Sequence, residues 1–193
     1  MYRLSQIRIL LRITRTHAIV RRYFFVNKFD GELTMLGLII GFHVSAPADL
    51  SVIINASLGA AIALGMSGVS SAYVSESAER QRALREIEEA MVADLKKTAH
   101  GEAARRVPLL IAFVNGAAPL IISLLILVPL LLSSAGVQLP ASPLYAAIMI
   151  ALFLVFLLGV FLGRIAGISW LRSGIQTLLV AVITTALIYL FTG

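Results

Sequence analysis

The chain has 193 residues, of which 59% are hydrophobic and only 13% charged, and its formal net charge is +6. A water-soluble domain needs a more polar surface, so lipid is the solvent for most of this sequence, and its length allows five helical crossings of about 20 residues plus ends and loops. There is no cysteine, which excludes disulfides, thiolate metal sites and cysteine nucleophiles.

In chain order, residues 1–22 alternate Ile7, Leu10, Leu11 and Ile13 with Arg3, Arg8, Arg12 and Arg15, so no uninterrupted apolar core of a signal peptide exists. A basic amphipathic helix at an anionic leaflet fits the pattern, with a disordered basic tail as the alternative for residues 1–10. The first span is expected from Tyr23 to Ala46, interrupted by Lys28, Asp30 and Glu32 in a way no lipid-facing helix would tolerate. A short outer turn at Pro47, Ala48 and Asp49 leads to a second span, Leu50 to Val74, rich in Gly, Ala and Ser, which let helices approach closely.

Residues 75–106 change character. They hold fourteen charges and no proline, and Leu84, Ile87, Met91 and Leu95 recur at helical spacing. The expectation is a cytoplasmic helix continuous with the second span and ending near His100 and Gly101. Residues 107–193 supply three more spans, about Val107–Leu132, Leu144–Leu162 and Ser173–Thr192, with a kink expected near Asn115 because Pro119 removes a backbone hydrogen bond. The segment Gly163 to Arg172 is read as a tight inner turn, and Gly37/Gly41, Gly159/Gly163 and Gly163/Gly167 are small pairs that suit helix packing or a dimer seam.

The basic residues decide between partners. Seven lie in the amino-terminal segment, seven in the central polar stretch, and Arg164 and Arg172 near the carboxyl end. Five spans with the amino terminus inside and the carboxyl terminus outside put all sixteen on the cytoplasmic side, as the positive-inside rule demands. This clustering opposes a nucleic-acid footprint. The fold class is thus an all-α five-helix membrane bundle with a helical cytoplasmic extension between helices 2 and 3, placed as a multi-pass protein in the cell membrane.

Few groups could carry chemistry. His17, His43 and His100 have no second histidine at ligand spacing, and there is neither a Gly-rich phosphate loop nor a nucleophile motif, so no enzyme is expected. An ionisable group at membrane depth costs about 2.5–3.5 kcal/mol and by default faces a pathway or a partner. Asp30 and Glu32 are such groups, about 200° apart around one helix, so they cannot share a face. Glu76, Glu79, Glu86 and Glu89 cluster toward one side of the polar helix, where carboxylate oxygens suit Mn²⁺ or Fe²⁺ and Met91 offers a thioether. The competing reading is a solvated helix stitched by Glu76/Arg80 and Arg82/Glu86 pairs.

The run Asn27-Lys28-Phe29-Asp30-Gly31-Glu32-Leu33-Thr34-Met35-Leu36-Gly37, with Gly41 beyond it, resembles the first-helix motif of the vacuolar iron transporter family. Gly65-Met66-Ser67-Gly68 leading into Ser71–Arg80, Asn115-Gly116-Ala117-Ala118-Pro119, and Gly163 to Gly174 with Trp170 are similar to its second helix, third helix and final turn. The resemblance implies a homodimeric exporter of Fe²⁺, often also Mn²⁺, from the cytosol in exchange for protons, the metal being substrate and no cofactor being held permanently. It puts the family's intramembrane aspartate on Asp30. Its pathway methionine falls on Gly68, with Met66 two residues away and Met35 a further thioether, and Glu76, Glu79, Glu86 and Glu89 would form a reduced version of its metal-gathering domain. Glu32 completes the candidate ligands. The alternative function is a non-transporting membrane scaffold that docks a partner through its charged helix.

Overall fold

The computed structural model describes residues 16–45 and 49–192, with 16–28 and 192 as backbone alone. The expectations for residues 1–15 and for the turn at Pro47 and Ala48 lie outside the described residues. The described chain is helical throughout, in five elements: α1 Thr16–Val44, α2 Leu50–Met91, α3 Ala99–Ser134, α4 Pro143–Ala166 and α5 Trp170–Thr192.

Among the described residues, four helices are long and apolar enough to cross a membrane: α2, α3, α4 and α5. Their outward faces carry Phe113, Ile121, Phe153, Val182 and Leu190, large apolar side chains whose exposure is stable only in lipid or under a partner. The protein is therefore a multi-pass α-helical membrane protein. α1 falls outside this set because Arg21, Arg22, Lys28, Asp30 and Glu32 lower its hydropathy.

At 42 residues, α2 is about 63 Å long, twice the hydrocarbon thickness, so its charged carboxyl-terminal half projects beyond the apolar layer. The expected continuity of the second span with the polar helix is present. The expected end near His100 and Gly101 is not: α2 stops at Met91, and Val92 adopts a left-handed φ of 48°. The Ala93 N–H then reaches back to the Glu88 carbonyl at 3.2 Å, which is the reverse bond of a Schellman cap built on valine instead of glycine.

Side chains lock the turn that follows. The Leu95 N–H donates to Glu88 Oε1 at 2.9 Å, the Lys96 N–H to Asp94 Oδ1 at 2.9 Å, and Arg105 Nη2 to the Lys96 carbonyl at 2.7 Å. Gly101 lies in the first turn of α3, where a Cβ would run into the Lys96 carbonyl oxygen. The glycine that reads as a helix terminator instead lets the turn fold against the start of the next helix. α3 then continues unbroken through Pro108, Pro119 and Pro129.

The described residues divide into two compact units, 16–24 with 65–117, and 25–45 and 49–64 with 118–192. The first has a core of small side chains, Ala72, Ala103, Val107, Ile111 and Ala112, with Val69 against it. Within it, Asn115 is 2% exposed and its Nδ2 donates to the Gly68 carbonyl at 2.8 Å. Asn115→Leu deletes that donor and leaves a buried carbonyl with one fewer partner, at an expected cost of about 1–3 kcal/mol in unfolding experiments in detergent.

The second unit has the larger core, with Met35, Leu36, Ile39, Ile53, Ile126, Leu130, Ala151, Val155 and Ala181 among its members, so every helix contributes. Within it, α4 and α5 form a close hairpin. Gly167 caps α4 in the left-handed region (φ 70°, ψ 19°), the Ile168 N–H bonds to Gly163 O at 3.0 Å, and only residues 167–169 separate the helices. A turn is present where one was expected, and it is shorter than the segment assigned to it. Thr177 Oγ1 donates across the hairpin to Val155 O at 3.0 Å.

Candidate functional site

α1 carries the two carboxylates that the sequence singles out. Asp30 lies fourteen residues before the end of α1 at Val44, about 21 Å along the axis. It is exposed, whereas Glu32 is 1% exposed and Met35 is fully buried. The two acids face opposite ways, as their 200° separation requires. Glu32 shares its face with Met35, Leu36, Ile39 and Ile40, the i, i+3, i+4, i+7 series that turns toward the core.

Three neighbours hold α1 within the second unit. Gly31 packs on α3, where a Cβ would stand 3.0 Å from Pro119 Cα. Gly37 faces Ile188 of α5, and His43 meets Tyr145 of α4 edge to face, with centroids 4.9 Å apart and planes at 65°. Each contact leaves Asp30 on the outer side, and Lys28 has no described side chain.

The remaining candidates divide by burial. Met66 is 59% exposed on α2. Glu76 is 6% exposed and pairs with Arg80, Nε to Oε2 at 3.5 Å. Glu86 is exposed and pairs with Arg82 Nε at 3.0 Å, while Glu79 and Glu89 are exposed. Glu89 also lines an open depression at the end of α2 together with Glu88, Asp94 and Lys96. Among the described residues, no three histidine, aspartate or glutamate side chains gather closely enough to hold a metal ion. The four glutamates of the polar helix thus form no joint site within one chain.

Two polar residues of evident structural weight were not singled out as such by spacing. Glu88 caps the turn after α2, a contact seven residues along the chain that no helical period encodes. Asn115 was readable in principle, because a lone amide inside an apolar span has to find a hydrogen-bond partner on another helix.

This architecture defines the class: a multi-pass α-helical membrane protein with a carboxylate-bearing helix that packs one face into the core, and a long polar helical extension. No family model matches the chain. It is similar to "Uncharacterized protein MJ0645" of Methanocaldococcus jannaschii, with 35% identity over 158 residues, covering 80% of this chain and 79% of the relative. The chain belongs to the same family as that archaeal protein.

Proposed function

We propose that this protein is a homodimeric transporter that exports Fe²⁺, and with it Mn²⁺, from the cytosol in exchange for protons. The observation that carries the reading is the exposure of Asp30 on a helix whose other face is core. A carboxylate facing lipid at membrane depth is costly, so water, a cation or a second copy has to cover it. A carboxylate binds a proton or a divalent cation but not readily both, which is the competition antiport requires. The resemblance of residues 27–37 to the vacuolar iron transporters agrees with this role.

α1 is the fifth span in this reading. A helix enclosed by protein does not need a lipid-compatible composition, and the burial of Met35, Leu36 and Ile39 supports that position. Five spans place the α2–α3 and α4–α5 turns on one side, and these turns with the helix ends beside them carry Lys96, Lys97, Arg105, Arg106, Arg164 and Arg172, whereas residues 135–142 between α3 and α4 carry no charge. The positive-inside rule then sets the amino terminus in the cytoplasm. The second copy finds support in α2, where Ser51, Asn55, Gly59 and Ala63 form an exposed stripe of small and polar residues beside Val52, Ile62 and Met66.

Glu79, Glu86 and Glu89 gather metal at the entrance, since an exposed pair such as Arg82/Glu86 is worth little and yields to a divalent ion. The scaffold reading draws its own support from the three i,i+4 ion pairs, Glu76/Arg80, Arg82/Glu86 and Glu102/Arg106, which occupy Glu76, Glu86 and Glu102 without metal.

Uptake by proteoliposomes of Fe²⁺, Mn²⁺, Co²⁺ and Zn²⁺, with and without a pH gradient, tests the proposal. Fe²⁺ and Mn²⁺ flux should rise with the gradient. Flux no greater than in empty liposomes would favour the scaffold.

A further inference from the structure

The α4–α5 turn has chemistry that the transport reading does not use. Arg164 closes α4, Arg172 opens α5, and both are exposed. Neither has an ion pair among the described residues, and no acidic residue follows Glu102 in the sequence. Their counter-charge must come from outside the chain.

The surroundings say what kind of anion. Ile165, Ile168, Trp170 and Leu171 are exposed around the two arginines. The turn joins two spans through three residues, so it cannot rise far above the membrane surface. Tryptophan with flanking apolar residues is the composition of the headgroup boundary, and guanidinium matches phosphate with two parallel hydrogen bonds. A free phosphate would gain nothing from the apolar residues; a lipid phosphate with its acyl chains satisfies both.

We propose that the α4–α5 turn is a binding site for anionic phospholipid, in which Arg164 and Arg172 each take a headgroup phosphate. The hairpin geometry separates the two. Gly163 is the contact residue on α4, where a Cβ would stand 3.1 Å from Trp170 Cα and closer still to Ser173 Cβ. Arg164 comes one step after that contact and Arg172 one step before Ser173 on the antiparallel helix. A step of about 100° therefore carries them to opposite sides of the hairpin. The turn takes two headgroups, and the arginines act additively.

Trp170 is the chain's single tryptophan, so its fluorescence reports on this turn alone. The experiment reconstitutes the full chain in bilayers containing phosphatidylglycerol or phosphatidylcholine with brominated acyl chains, which quench a neighbouring indole. Brominated phosphatidylglycerol should quench Trp170 with a preference over brominated phosphatidylcholine of about five-fold for each arginine, weakening as salt rises. Arg164→Gln or Arg172→Gln alone should remove about half of the preference on a logarithmic scale, and the two together all of it. The Arg→Lys pair, which keeps charge and helix, should retain part of it and guards against a misfolded glutamine variant. Equal quenching by the two lipids would overturn the proposal, as would a preference that survives in the double glutamine variant. Loss of the preference on adding inorganic phosphate at fixed ionic strength would also overturn it by showing a soluble-anion site.

Discussion

Asp30→Asn is expected to leave the protein inserted and dimeric while Fe²⁺ flux falls by at least about 100-fold, the scale on which loss of a supporting group at a metal site already acts. Asparagine keeps the shape of the side chain and removes its charge. Because Asp30 is exposed within the chain, no core packing depends on it, and thermal stability in detergent should change little. Glu32 is the structural control, since it is buried in the same helix and Glu32→Ala empties a filled position. That variant should lose stability by several kcal/mol, the range for opening a core cavity or breaking a buried polar contact. Normal flux in a stable Asp30→Asn protein would end the proposed mechanism.

A large effect on folding is expected at Gly116. A Cβ there would run into Val69 Cγ2 and stand 2.5 Å from Gly65 O and 3.1 Å from Val69 N. The valine can rotate away, but the carbonyl is fixed in α2, so α3 has to move outward. The hydrogen bond from Asn115 to Gly68 O lies one residue away and would lengthen with it. Gly116→Ala should therefore cost about 3 kcal/mol or more, the upper range for overpacking, and lower the yield of folded protein. Gly59 gives the contrast, because nothing lies within 4 Å of a Cβ there. Gly59→Ala should leave the unfolding midpoint of the detergent-solubilised monomer unchanged or raise it, since alanine is the better helix former by about 1 kcal/mol. A Gly116→Ala protein as stable as the parent would mean that the helices do not approach as closely as described.

The spans were legible because bilayer thickness imposes a length on any apolar run, and residues 107–132, 144–162 and 173–192 meet it without interruption. The break after Met91 was not. Its left-handed residue is Val92, to which helix-stop rules assign no turn role, and the glycine those rules choose, Gly101, works inside the next helix. What closes α2 is a set of capping bonds from Glu88, Asp94 and Arg105, each of which reads in sequence as an ordinary solvated charge.

At the candidate site, spacing alone showed that Asp30 and Glu32 diverge. Which of them faces inward depends on the apolar residues that follow, and Met35, Leu36 and Ile39 fall in register with Glu32. The i,i+4 pairs Glu76/Arg80 and Arg82/Glu86 were legible from spacing, and both form. At i,i+4 the nearest groups to Glu76 and Glu86 are arginines, and those pairs form first.

The uncharged stretch from Val107 to Gly163 has a consequence for how the chain enters a membrane as it is synthesised. Residues 135–142, the link between α3 and α4, present no charge that would have to shed its hydration on the way across. In the proposed five-span topology, Arg105 and Arg106 before this stretch and Arg164 after it would hold both its ends on the side of the ribosome. α3 and α4 can therefore pass in together as a single hairpin, with the rest of α5 following from an anchored turn. Arg172, the charge that follows, lies beside the same turn, so in that topology residues 107–193 carry no charge favouring the opposite direction of insertion.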